Sequence, residues 1–331
     1  MLFELMNGIR TVSVIGMCKN AGKTTVLNRL IRECEAHGQT IGLTSIGRDG
    51  ERSDLVTNTK KPEIFVSRGA LIATAEQLLK LGDISLEILE VSGLTTPLGR
   101  IVFVRAMTSG YVQLGGASIT EHQKLIRDGL LAFGADRVMI DGAISRKSLG
   151  TPALCDGAVL SSGASYDPSV DKTAADTAYT ARLFSLAEEA GSPGELRFTA
   201  VRGGERFESD EALGLVPFIN GGAERILVRG AVTDSIAAQL VQVGRHIKNA
   251  RVLAEDASRL LLKQASFERL LRTCAGVGVM KGTRLCCVTV NPFSAYGLHY
   301  GADEFFEKVC RALERNGVSV PVIDVEADKN A

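Results

Sequence analysis

Short apolar runs rich in β-branched residues alternate along this chain with stretches whose apolar positions recur at helical spacing. Val12–Ile15, Thr40–Gly47, Ile64–Val66, Leu86–Val91, Arg100–Arg105, Arg137–Asp141 and Gly157–Gly163 read as strands. Val26, Leu27, Leu30 and Ile31 mark one face of a helix that runs to Ala36 and closes at His37-Gly38, as a C-cap glycine would close it. Further helices are predicted over Ala73–Leu81 and Thr120–Phe133. This order predicts an α/β fold with a doubly wound, mostly parallel sheet covered on both faces. The pattern breaks near Leu186, where Glu188-Glu189-Ala190-Gly191-Ser192-Pro193-Gly194 carries helix-terminating chemistry. We therefore expect a nucleotide-binding domain over 1–190 and a second, smaller α/β unit over 195–331. In the latter, Arg225–Val228, Arg251–Ala254, Leu285–Val290 and Val320–Val325 read as strands, and Ser235–His246, Ser266–Cys274 and Asp303–Asn316 as helices.

The first strand leads into the most informative stretch, Gly16-Met17-Cys18-Lys19-Asn20-Ala21-Gly22-Lys23-Thr24-Thr25. Strand, glycine-bounded loop and helix start in that order suit a nucleoside triphosphate. Loop N–H groups wrap the phosphates, the helix N-terminus adds partial positive charge, and a lysine reaches the β/γ oxygens. Lys23 is that lysine, and the Thr24 hydroxyl faces Mg2+. Gly16, Lys19, Asn20, Ala21, Gly22 and Thr25 complete the candidate phosphate-binding set. The usual spacing puts the first glycine where Met17 stands, so with Gly16 the loop is one residue longer.

Phosphoryl chemistry also needs an acid for the metal or its waters. Asp141 ends an apolar strand, at the carboxyl end where open α/β sheets bind ligands; an aspartate capping the turn into Gly142 is the plainer reading. Asp49 and Glu51 form a second acidic pair after the next strand, and Arg48-Asp49-Gly50 is equally an ordinary turn. Cys18 sits in the loop, where a helix N-terminus lowers a thiol's pKa, but a small packing residue explains it better. Arg146 and Lys147, Ser161–Ser165, and Asn291-Pro292-Phe293-Ser294 with Tyr296, His299 and Tyr300 are further polar positions near strand ends, each equally readable as a structured turn.

Composition narrows the classes. Lys plus Arg equals Asp plus Glu at 38 each, so no global field favours nucleic acid or an anionic membrane. With 5% aromatics and no Trp, base-stacking platforms are not expected. The seven cysteines lack metal-ligand spacing, and Cys286-Cys287 on one strand should point to opposite faces. Met1-Leu2-Phe3-Glu4-Leu5 does not read as a secretory signal and no apolar run is long enough to span a bilayer, which predicts a cytoplasmic, reduced protein. No catalytic His, Cys or Ser constellation suggests covalent chemistry.

The lengthened glycine spacing from Gly16 to Thr24 resembles that of dethiobiotin synthetase and the cobyric acid synthases, a superclass of P-loop proteins, over about the first half of the chain. The resemblance implies a P-loop NTPase fold, ATP and Mg2+ as cofactors, Lys23 and Thr24 on phosphate and metal, and Asp49 and Asp141 as acids near the metal. Lys23, Asp49 and Asp141 would then carry catalysis. The dethiobiotin-type Gly-Thr-Asp-Thr signature is absent, since Met17-Cys18-Lys19 stand there. A closer similarity is to the P-loop proteins encoded beside cobalamin- and pyridoxal-phosphate-dependent lysine and ornithine aminomutases. It is carried by Lys19–Thr25, Gly42–Glu51, Ile140–Ala143 and Val290–Phe293. That similarity implies an ATP-dependent reactivating factor, a nucleotide-driven switch whose partner is a cobalamin-dependent aminomutase or another protein. The alternative is a ligase or kinase of the dethiobiotin synthetase type acting on a small molecule. ATP versus GTP and a homodimer both stay open at this point.

Overall fold

The computed structural model describes residues 1–47, 64–142, 151–294 and 296–325. Asp49, Glu51, Arg146 and Lys147 lie outside the described residues. In chain order the first unit carries strands β1 (Thr11–Gly16), β2 (Ile41–Ser45), β3 (Leu71–Ala75), β4 (Leu86–Thr96), β5 (Gly99–Ala106), β6 (Arg137–Asp141) and β7 (Gly157–Gly163). Its helices are α1 (Lys23–Ala36), α2 (Thr120–Ala132) and α3 (Val170–Phe184). The second unit, Arg182–Thr283, contributes β8 (Phe198–Arg202), β9 (Glu205–Ser209), β10 (Arg225–Val228), β11 (Arg251–Ala254) and β12 (Gly276–Val279), with α4 (Asp234–Gln242) and α5 (Gln264–Leu271). The chain then returns to the first unit as β13 (Arg284–Asn291), α6 (Ala302–Arg315) and β14 (Val322–Asp324).

The nine-stranded sheet of the first unit runs β14-β13-β7-β1-β6-β2-β3-β5-β4. Seven neighbouring strands, β14 through β3, are parallel, and β5 and β4 close one end as an antiparallel meander. Every residue of β1 is buried, because both faces of the sheet centre are covered. Val12, Val14, Leu43 and Met139 pack with Leu27, Leu30 and Ile31 of α1 on one side. Val138 and Ile140 pack with Ile126 and Leu130 of α2 on the other. The second unit has a five-stranded sheet, β9-β8-β10-β11-β12, parallel over its last three strands and antiparallel at β8 and β9. Among the described residues no helix is long and apolar enough to cross a membrane.

Three expectations are corrected. The division into 1–190 and 195–331 is replaced by an excursion from Arg182 to Thr283, because β13 adds in parallel to β7, from Arg284 beside Gly157 to Asn291 beside Gly163. The helix expected over Ala73–Leu81 is the end of strand β3 followed by a 3-10 turn, Glu76–Leu81. A register shift between Leu285 and Cys287 interrupts the alternation of β13, so Cys286 and Cys287 both join the core cluster that includes Val12 and Leu30.

Candidate functional site

Sheet order decides which strand ends meet. β1 lies between β6 and β7, and β13 lies beyond β7, so Gly16, Asp141, Gly163 and Asn291 are the last residues of four adjacent parallel strands. After β1 the chain crosses β6 to reach β2; after β6 it crosses β1 to reach β7. The strand order reverses at β1, and a ligand crevice is expected outside the carboxyl ends at such a switch point.

The loop from β1 to α1 occupies this position. The Met17 N–H donates to Ser161 O at 2.9 Å, so Met17 is still held by β7 and the extra loop residue extends the strand pairing. Gly16 lets the Lys23 head lie close over the backbone: a Cβ there would fall 2.8 Å from Lys23 Nζ and 3.1 Å from Cys18 O. Asn20 takes the left-handed conformation at φ 60°, which asparagine tolerates better than most residues. Gly22 precedes the helix at φ 94°, with no side chain capping the first turn. The uncapped N–H groups of α1 therefore face the loop, an arrangement that favours an anion.

Lys23 folds back across the loop, and its Nζ donates to Cys18 O at 3.3 Å. Burial pushes its pKa down, while the Asp141 carboxylate opposes that shift. Asp141 is half-buried, opposite Val14 and Ser45 in register, on the face that α1 covers. Burial raises the Cys18 thiol to about 11, against the pull of Lys23, so it is a protonated thiol at neutral pH and not a reactive thiolate.

The structure thus places Gly16, Lys19, Asn20, Ala21, Gly22, Lys23, Thr24 and Thr25 between the carboxyl end of β1 and the first turn of α1, with the Asp141 carboxylate acting on Lys23. It also adds Asn291, which belongs to the first unit and not, as the sequence pattern suggests, to the second. A Cβ at Gly22 would lie 3.0 Å from Asn291 Nδ2, and Asn291 Oδ1 accepts the Phe293 N–H at 3.0 Å. Gly163 is the spacer between the loop and this residue: its Cβ would lie 3.2 Å from both Ala21 Cα and Asn291 O. Ser165 Oγ donates to Ser294 Oγ at 3.0 Å and joins the loops that follow β7 and β13. The signal for Asn291 was the apolar strand ending in a polar residue, the same signal that marks Asp141.

No family model, curated protein or solved structure matches this chain, so fold and site geometry are what bear on its function.

Proposed function

We propose that the chain is an ATP-binding, Mg2+-dependent P-loop NTPase that works as a nucleotide-dependent switch, a reactivating or chaperone-like factor for a cobalamin-dependent aminomutase. The observation that carries the nucleotide is the meeting of the Gly16–Lys23 loop, the open N-terminus of α1 and Asp141 at the switch point of a parallel sheet. The triphosphate lies along the loop, with Lys23 turned from Cys18 O onto its oxygens. Mg2+ suits this donor set, since it takes one or two protein oxygens and completes its shell with phosphate and water. Thr24 in the first turn of α1 and the Asp141 carboxylate would hold it, and it would supply charge neutralisation between the phosphates. Gly163 lets β7 pass close to Ala21 of the loop, and Asn291 lies against Gly22 on that side.

The partner follows from the resemblance in Gly42–Glu51 and Val290–Phe293, and two observations agree with a switch. The Asn291 loop touches the P-loop directly at Gly22, so a change at the phosphates reaches β13 and α6. No Ser-His-Asp or Cys-His grouping appears in this crevice among the described residues, which suits conformational work better than covalent synthesis.

The test is ATP hydrolysis by the purified chain with and without a purified cobalamin-dependent aminomutase, alongside calorimetric titration with Mg2+-ATP. Saturable binding and stimulation of hydrolysis by the aminomutase are expected. Turnover that ignores the protein but requires a small carboxylate or hydroxyl compound would make the chain a ligase or kinase. Absence of Mg2+-ATP binding would remove the nucleotide altogether.

The lowered pKa of Lys23 adds a pH signature. A polyanion binds the ammonium form, so affinity is full below the lowered pKa and falls as pH rises through it, earlier than an ordinary lysine near 10.4 would allow. Titrations between neutral and alkaline pH should show that decline with proton uptake on binding, and a pH-independent affinity would contradict it.

A further inference from the structure

The sheet of the second unit has two unlike faces. One carries Phe198, Ala200, Ile226, Val228 and Val252, all at most 1% exposed. On the other, Arg206, Val201, Arg225 and Arg251 stand side by side in register across β9, β8, β10 and β11. Two residues further along, the same face presents Leu227 and Leu253, which cluster with Val201 and Met280. Three guanidinium groups thus border a small apolar patch.

What lies over this face is an extended segment, Ala187–Gly194. It starts beside β12, where Glu188 bridges to Val279, and crosses the patch. A Cβ at Gly191 would sit 3.1 Å from Met280 and 3.3 Å from Leu227. Its attachments are almost all to backbone. Arg225 Nη1 donates to Ala190 O at 2.5 Å, Arg206 Nη2 donates to Ser192 O at 2.6 Å, and the Gly194 N–H donates to Thr199 Oγ1 at 2.9 Å. Glu189 pairs with Arg251. No residue from Ala187 to Gly194 is buried, so the strap places no buried side chain over the patch it covers.

We propose that this face is a docking groove for an extended acidic segment of a partner protein, with the Ala187–Gly194 strap occupying it in the free chain. A carboxylate offers a guanidinium group opposite charge and two parallel acceptor oxygens, where a backbone carbonyl offers one neutral acceptor. A strand with carboxylates flanking apolar side chains therefore competes with the strap at its three arginine contacts and over the apolar patch, while backbone pairing with Val279 and the Gly194–Thr199 hydrogen bond anchor the two ends of the strap. It offers acids to Arg206 and Arg225 in place of carbonyls, displaces Glu189 from Arg251, and sets apolar side chains on Val201, Leu227, Leu253 and Met280 where the strap has a glycine. This is strand- or chain-like recognition by main-chain and alternate side-chain contacts. It is independent of the nucleotide reading, and it is tested without nucleotide.

The probe is a fluorescein-labelled decapeptide alternating glutamate and valine, titrated against the full chain by fluorescence anisotropy. Saturable binding is expected, weakened about 10-fold or more in the double variant Arg206→Gln/Arg225→Gln, as charge-assisted contacts require. Glu189→Gln, which removes the strap carboxylate that pairs with Arg251, is expected to tighten binding several-fold. A misfolded variant cannot produce that opposite change. A lysine–valine decapeptide should not bind. The proposal is overturned if the acidic peptide fails to saturate with Glu189→Gln, if the arginine variants bind it unchanged, or if a single-stranded oligonucleotide of equal charge competes equally well.

Discussion

Lys23→Ala is expected to lower the affinity for Mg2+-ATP by at least about 100-fold and to leave the fold as stable as before, or more so. The two effects have one origin. Lys23 Nζ is held inside the loop against Cys18 O and over Gly16, with burial disfavouring its charge. A unit charge about 4 Å from a phosphate oxygen is worth about 4 kcal/mol at an effective dielectric constant near 20. If screening and relaxation leave about two-thirds of that, its loss costs about two decades in affinity. Without nucleotide the same ammonium is a partly buried cation whose desolvation works against the folded state, and alanine relieves that cost. Calorimetric titration and thermal unfolding of the same sample therefore separate the readings. A variant that binds within threefold of the wild type would show that the loop does not hold phosphate. Lys23→Arg should not rescue binding, because the space over Gly16 is already filled by the lysine head.

How much of this was legible in the sequence depends on range. The loop was readable because its strand, glycines, lysine and helix are contiguous, and Asp141 because an apolar strand ends in it. The place of Gly16 was not readable as structure, since the strand pairing of Met17 with Ser161 joins residues far apart in the chain. Asn291 was visible as a polar strand end yet assigned to the wrong unit, because a strand's own pattern does not say which sheet it joins. β3 read as helix for a related reason. Leu71-Ile72-Ala73-Thr74-Ala75 is buried throughout, so no alternation marks it, and Glu76-Gln77-Leu78-Leu79 after it favours helix by propensity. The helix Val170–Phe184 went unread because its buried face is built partly from Thr173 and Thr177, residues that carry no hydrophobic periodicity. Those threonines are satisfied inside the fold: Thr177 Oγ1 donates to Thr173 O at 2.7 Å and shares a 2.6 Å hydrogen bond with Ser162.

Gly116→Ala is expected to destabilise the first unit by about 3 kcal/mol or more, the size seen when a closely packed position is forced open. Gly116 is buried in the segment between the strand at 110–112 and α2, against the carboxyl end of β2. A methyl group there would fall 1.9 Å from Ser45 O and 2.8 Å from Gln123 Nε2. The first of these is backbone, which has no rotamer to yield, so the segment must move by more than an ångström. That movement breaks the joint in which Gln123 Nε2 donates to Ser45 O at 2.8 Å and to Ala117 O at 2.7 Å. It also pulls on Gly115, whose carbonyl accepts the Ala75 N–H at 2.8 Å and whose N–H donates to Thr74 Oγ1 at 3.0 Å. Urea denaturation should show a lower midpoint with an unchanged slope. Exposed Ser118→Ala, two residues on, should stay within about 0.5 kcal/mol of the wild type. Gln123→Ala removes the same joint from the other side, so its cost and that of Gly116→Ala should add to more than the double variant loses. The site feels the change too. Ser45 faces Asp141 in register and the Ile46 N–H donates to Asp141 O at 3.0 Å, so loosening the end of β2 loosens the acid. At a temperature where Gly116→Ala is still folded, hydrolysis should fall further than nucleotide affinity, because Lys23 and the α1 N-terminus are anchored through β1 and β7 and keep their places.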